Sequence, residues 1–158
     1  MTEEILEEYG NLYDYIKQEL FLDNKFNEAL EIIEKEGNPT DIEFWGLLAE
    51  IHFELGNQCF EENNFGLALE HFFEVTKILP YWAVIYNSIG LTYLKTGDFE
   101  RALENFNKSI ELSGNTFAHA FYNLGYLYSK QGNIEKAKEC YSKACELEPE
   151  NEYPQYDN

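Results

Sequence analysis

Basic residues are scarce. Eleven lysines and arginines stand against thirty aspartates and glutamates in 158 residues, a formal net charge of −19 at pH 7. Nucleic-acid binding needs cationic surface to displace counterions, so that class is excluded. The same deficit disfavours anionic membranes. A basic partner is the natural electrostatic complement, and an acidic excess serves solubility equally well. Cysteine is scarce too, and odd in number: Cys59, Cys140 and Cys145. Cys140 and Cys145 fall on one predicted helix at positions that point in different directions. Neither a metal spacing nor a disulfide framework is present, and a reduced, cytoplasmic compartment is the simplest reading. Long apolar runs are missing, so no bilayer span is expected. The acidic opening Met1–Glu8 lacks the basic segment and apolar run of a secretory signal or transit peptide.

Catalytic signatures are absent as well. There is no glycine-rich phosphate loop, nucleophile elbow or HExxH, and carboxylates are too abundant for any pair of them to carry information. His52 reads as a structural packing residue. Glu70-His71-x-x-Glu74 offers ligands at helical spacing but reads as a solvated helix face. No catalytic residue, metal or cofactor is expected.

What the chain does have is apolar and aromatic residues in a repeating pattern. They make up 44% and 16% of it, ample for the core of one domain. The stretch Ala83–Thr116 carries the pattern most clearly. Tyr86, Ile89, Gly90, Tyr93 and Leu94 have the three/four spacing of an amphipathic helix, and so do Phe99, Ala102, Leu103, Phe106, Ile110 and Leu112. Between them lies Thr96-Gly97-Asp98. Gly97 suits the residue just past a helix end, and Asp98 suits the cap of the next helix. The stretch is therefore a helical hairpin that cannot bury its stripes alone. Gly90 has counterparts at Gly56 and Gly125, Ala102 at Ala68 and Ala137, Phe106 at Phe72 and Tyr141. Phe99 matches Phe65 and Ile134, and Leu112 matches Ile78 and Leu147. A period of about 34 residues marks a helical-hairpin solenoid. Glycine opposite alanine lets two backbones approach, and aromatics fill the space beside that contact.

On these residues the chain resembles the tetratricopeptide (TPR) repeats. The family's large opening residue is His52, Tyr86 and Phe121. Its Leu–Gly pair is Leu55-Gly56, Ile89-Gly90 and Leu124-Gly125. Its next aromatic is Tyr93 and Tyr128, with Cys59 in the most divergent first unit. The late small residue is Ser109 and Ala144, with Val75 in the first unit, and Pro80 and Pro149 end their units. The units fall at Ala49–Trp82, Ala83–Thr116 and Ala118–Asn151, with Phe117 inserted. The resemblance implies an all-α, right-handed superhelical solenoid of antiparallel hairpins.

The remaining chain is read around that array as a single domain, 1–158. Thr2–Leu22 and Lys25–Lys35 form a degenerate hairpin that caps the N-terminal end, closed by Glu36-Gly37-Asn38-Pro39 (1–39). A long first helix runs from about Asp41, capped by Thr40-Asp41, to Glu62, and its Trp45 and Leu48 are expected to pack on that hairpin (40–82). The next units are 83–116 and 118–151, and 152–158 is a tail. Such arrays usually carry a further capping helix, and the tail is too short for one. The last helix is therefore expected to be covered by Tyr153 or Tyr156 folding back, or by self-association.

The resemblance also implies a concave groove along the first helices. Carried over by position, the first unit contributes Glu50, Phe53, Glu54, Asn57, Phe60 and Glu61. The second contributes Val84, Asn87, Ser88, Leu91, Leu94 and Lys95. The third contributes His119, Tyr122, Asn123, Tyr126, Ser129 and Lys130. The family's clamp for a chaperone's terminal carboxylate would use Phe53, Asn57, Ser88, His119 and Asn123. Its cations are gone, and Glu50 and Glu54 would repel a carboxylate, so no such clamp is expected. The asparagines can hold a peptide backbone and the aromatics offer apolar pockets. The function implied is a non-enzymatic scaffold or adaptor binding an extended peptide, with basic residues near the first unit. The alternatives are a secretion-type or assembly chaperone holding a substrate segment, and a regulatory subunit of an enzyme.

Overall fold

Turn chemistry sets the helix boundaries. In the computed structural model, which describes residues 11–21, 23–36, 42–151 and 153, the hairpin turns have the same left-handed residue at their apex. It is Asn63 (φ 60°) in the first, Gly97 (φ 83°) in the second and Gly132 (φ 76°) in the third. Asparagine is one of the few side-chain-bearing residues that visits this region readily, so Asn63 serves where the other turns use glycine. The next helix is then capped. Asp98 Oδ1 accepts from the backbone N–H of Arg101 at 3.1 Å, and Asn133 Oδ1 from that of Lys136 at 3.3 Å. Asn64 makes no such side-chain bond, which fits the divergence of the first unit.

Eight helices occupy the described residues, and no strand is found among them. They are α1 (Leu12–Tyr15, running into a π turn over Ile16–Leu20), α2 (Phe26–Glu36), α3 (Ile42–Glu61), α4 (Phe65–Ile78), α5 (Ala83–Thr96), α6 (Phe99–Leu112), α7 (Ala118–Lys130) and α8 (Ile134–Leu147). Inter-residue contacts divide the chain into two units, Met1–Pro80 and Tyr81–Asn158.

The first unit holds α1 to α4. Its core is Ile16 and Leu20 from the π turn, Phe26, Ala29 and Ile33 from α2, and Leu47, Ile51 and Leu55 from α3. The regular helix expected through Leu22 is interrupted. The backbone N–H of Phe21 bonds the carbonyl of Ile16 at 3.0 Å, one residue beyond the α pattern. Trp45 also departs from expectation, being 41% exposed. On α3 the buried stripe runs Leu47, Ile51, Leu55, with Phe44 and Leu48 packed beside it. Trp45 falls off that stripe by helical geometry, and its ring meets that of Phe44 edge-on at 5.0 Å. The expected stop at Gly37-Asn38-Pro39, the cap at Thr40-Asp41 and the start of the first helix lie outside the described residues.

The second unit holds α5 to α8. Leu94, Ala102, Phe106, Ile110, Ala120, Leu124 and Leu127 form its core. Ser109 is fully buried and donates its hydroxyl to the carbonyl of Ala83 at 2.8 Å, tying the end of α6 to the start of α5.

The expected close approach of glycine to aromatic recurs in all three hairpins. A Cβ on Gly90 would lie 2.7 Å from two ring carbons of Phe106 and 3.3 Å from the carbonyl oxygen of Ala102. On Gly125 it would meet Tyr141 at 3.0 Å and the Ala137 oxygen at 3.2 Å. On Gly56 it would overlap the ring of Phe72. The first hairpin, least regular in sequence, is thus built on the same contact as the other two. The three cysteines are free thiols. No helix among the described residues is long and apolar enough to cross a membrane.

Candidate functional site

The first helices carry the residues assigned to binding, and each unit places them differently. In the second unit, α5 and α7 together with the start of α6 enclose an open pocket of about 580 Å³, in the range of small ligand sites. Six of the expected residues line it: Leu91 and Lys95 from α5, and Tyr122, Asn123, Tyr126 and Lys130 from α7. Leu94, expected beside them, lines it too. The last residue of α5, Thr96, the turn residue Gly97 and Phe99 of α6 complete the lining. Gly97 and Phe99 were missed because the groove was assigned to first helices alone, and Thr96 because it was read as part of the turn. The available signal was Gly97, whose lack of a side chain leaves the end of α5 open.

Asn123 donates its amide to the Oδ1 of Asn87 at 2.9 Å. The two asparagines therefore brace α5 against α7. This bond holds the Asn123 side chain, which lines the pocket, while Asn87 itself does not line it. Lys130 lies over the ring of Tyr126, 5.1 Å from its centroid, a cation–π contact that holds both at the rim. Val84 and Ser88 are half-buried and do not line the pocket. The Ser88 hydroxyl turns back to the Val84 carbonyl at 3.4 Å.

At the other end of α7, Tyr153 packs on that helix, where the expectation had it or Tyr156 covering the last one. The Tyr153 ring packs on Tyr122 at 5.2 Å and edge-on to His119 at 6.3 Å. Its hydroxyl donates to Glu148 Oε2 at 2.8 Å. Tyr122 is in turn in contact with Tyr141 at 5.5 Å. Tyr153 covers the start of α7, so His119 and one face of Tyr122 are engaged within the chain. Tyr156 lies outside the described residues.

In the first unit the assigned residues are more occupied. Glu50 forms an ion pair with Lys17 of α1, a contact the repeat pattern could not show because α1 lies outside the repeats. Phe53 meets Phe72 at 6.1 Å and Phe60 meets Phe65 at 5.6 Å, so both help to fill the hairpin. Glu54 and Asn57 are half-buried and Glu61 is exposed.

His52 is buried, as a packing residue should be, but His71 differs from expectation. His71 is not on a solvated face: its Nδ1 lies 3.0 Å from Nδ1 of His52, across the α3–α4 hairpin. One ring must donate and the other accept, so the pair is satisfied only while at least one imidazole is neutral. Burial is the main cause holding both below the ordinary 6.5. The facing His71 lowers His52 further, while Glu74 opposes the shift in both and Glu70 opposes it in His71. No cluster of three or more potential metal ligands occurs among the described residues. Burial pushes the Cys140 thiol up to about 11.

Comparison with known proteins agrees with this architecture. The tetratricopeptide repeat family model matches residues 83–115 and 118–151. Among solved structures, MamA is 22% identical over 93% of this chain and 84% of its own, with a TM-score of 0.67. The TPR domain of Arabidopsis OM64 is 20% identical over 67% and 87%, with a TM-score of 0.63. The first TPR of Spaghetti (RPAP3), bound to the HSP90 peptide SRMEEVD, is 23% identical over 68% and 84%, with a TM-score of 0.63. At these identities the likeness concerns the fold. No curated protein matches in sequence. The chain therefore carries two tetratricopeptide repeats, at residues 83–115 and 118–151, and the glycine–aromatic contact they are built on recurs in the hairpin before them.

Proposed function

We propose that this chain is a non-enzymatic, cytoplasmic adaptor that binds an extended segment of another protein, with the pocket between α5 and α7 as its anchor site. The observation that carries the reading is the composition of that pocket. Leucine and phenylalanine side chains line it, tyrosines and lysines stand beside them, and Asn123, held by its bond to Asn87, offers an amide for a peptide backbone. An apolar side chain entering it would supply most of the affinity, and the amide would set the direction of the strand. Two of the similar structures were solved with bound peptides, SRMEEVD and SGPTIEEVD, which supports a peptide role for this surface. Ordering a short flexible segment opposes binding, so micromolar affinity is the expected range.

The test is selection of peptides from a random display library on the purified chain. Hits are titrated by fluorescence anisotropy against wild type and Tyr126→Ala. The aromatic residue is at the rim and 39% exposed, so its removal leaves the fold intact. About tenfold weaker binding by the variant is expected. Hits that bind both equally would remove the pocket from the reading, and a library that yields no hit would remove the reading itself.

A further inference from the structure

We infer that the α5–α7 pocket selects a peptide segment in which an apolar or aromatic residue is followed closely by an acidic one. The inference rests on the peptide-binding reading above and names the partner's chemistry. It departs from the basic peptide expected at the first unit, where the glutamates lie.

The starting observation is where the cations go in a chain so rich in carboxylates. Lys17 pairs with Glu50, Lys25 with Asp23, Lys77 with Glu74, Lys143 with Glu146, and Arg101 with Asp98. Lys95 and Lys130, like Lys108 and Lys136, make no ion pair among the described residues, although the chain carries thirty acidic side chains; what sets Lys95 and Lys130 apart is where they lie. Both line the same pocket, at matching positions one repeat apart, in the last turns of α5 and α7. Among the described residues no carboxylate lines that pocket. The nearest in sequence, Asp98, is already committed: its oxygens accept from the backbone of Arg101 and face the guanidinium at 3.5 Å.

Two like charges at one rim repel each other, and an anion placed between them relieves that repulsion while gaining attraction to both. Beside them, Tyr126, Leu91 and Phe99 give an apolar surface for a neighbouring side chain. A lone inorganic anion would use the lysines and leave that surface wet, and a purely apolar segment would leave the lysines without a counter-charge. A segment with both features uses the whole pocket. The rest of the molecule's negative field makes this a local exception, so the acidic residue contributes register and selectivity more than encounter rate.

The experiment compares library selections on wild type and on Lys95→Glu/Lys130→Glu, both surface positions, with thermal melting to show that the variant is folded. Wild type is expected to enrich Asp or Glu within two positions of an aromatic or leucine. For the strongest hit, replacing that acid by its amide should weaken binding about two- to fivefold per lysine engaged. The double variant should lose about tenfold or more and then prefer the lysine-substituted peptide. Raising salt should narrow the difference between the acidic and amide peptides. Hits that lose affinity with Tyr126→Ala yet are indifferent to their acid and to both lysines would overturn this inference and leave peptide binding standing. Removal of residues 154–158, whose Tyr156 and Asp157 share this chemistry, identifies the occupant. Unchanged affinity keeps an outside partner, whereas a gain of tenfold or more would assign the pocket to the chain's own tail and overturn the proposal as stated.

Discussion

The glycine at position 56 should be more costly to replace than its sequence context suggests. It lies within α3, where glycine is normally a liability: alanine in a helix interior gains roughly 0.5–1 kcal/mol over glycine. A Cβ there, however, would lie 2.6 Å from Cδ1 of Phe72 and closer still to the next ring carbon. Phe72 is 1% exposed, so the ring cannot swing into solvent. Either the ring leaves its rotamer or α3 and α4 move apart, and overpacking of this kind costs about 1–3 kcal/mol. Gly56→Ala should therefore destabilise by roughly 1–2 kcal/mol net, or about 2–8 °C in melting temperature for a chain of this size. The same helix supplies the control. Gly46 has nothing within 4 Å of the same hypothetical atom, so Gly46→Ala should raise stability by roughly 0.5–1 kcal/mol. Circular-dichroism melts and urea titrations of the two variants read the contrast directly. A Phe72→Leu background should shrink the Gly56→Ala penalty, since the two sites share one contact and must couple. Equal stabilisation by both alanines, or an unchanged penalty in the leucine background, would refute the contact as the basis of the hairpin.

Two further expectations follow from the pairings at the sites. His52 and His71 are held below 6.5 in the fold, so the unfolded chain takes up protons first as the pH falls. Stability should be flat with respect to this pair above pH 6.5, fall on acidification below it, and level off once the folded pair also protonates; urea midpoints across that range should show a shallower fall for His71→Gln, and parallel profiles would count against the pair. Tyr153→Ala removes both a ring contact with Tyr122 and a bond to Glu148, for an expected loss of about 1–2 kcal/mol. Tyr153→Phe should lie between it and wild type in thermal melts, and an unshifted alanine variant would show that the tail adds nothing to the second unit.

Much of this protein was decided by local rules that act along the chain. Gly97-Asp98 and Gly132-Asn133 end one helix and cap the next because backbone sign and a short side-chain acceptor are properties of those residues alone. The spacing of Gly90, Ala102 and Phe106 determined which faces meet, because helical period and side-chain volume leave one close-packed solution. The likeness to the tetratricopeptide repeats followed from the recurrence of that solution. What only the tertiary structure decided was occupancy. Lys17 on Glu50, His71 on His52, Tyr153 on Tyr122 and Asn123 on Asn87 are contacts between residues far apart in sequence. The repeat pattern places each on a face without saying what stands opposite. Trp45 shows the same limit: its helix was legible, but the exposed side depended on where α1 and α2 packed. The pocket's positive character belongs to this second kind of information. Lys95 and Lys130 are two cations among eleven in the sequence, and only folding shows that they share one pocket and that no carboxylate of the described residues lines it.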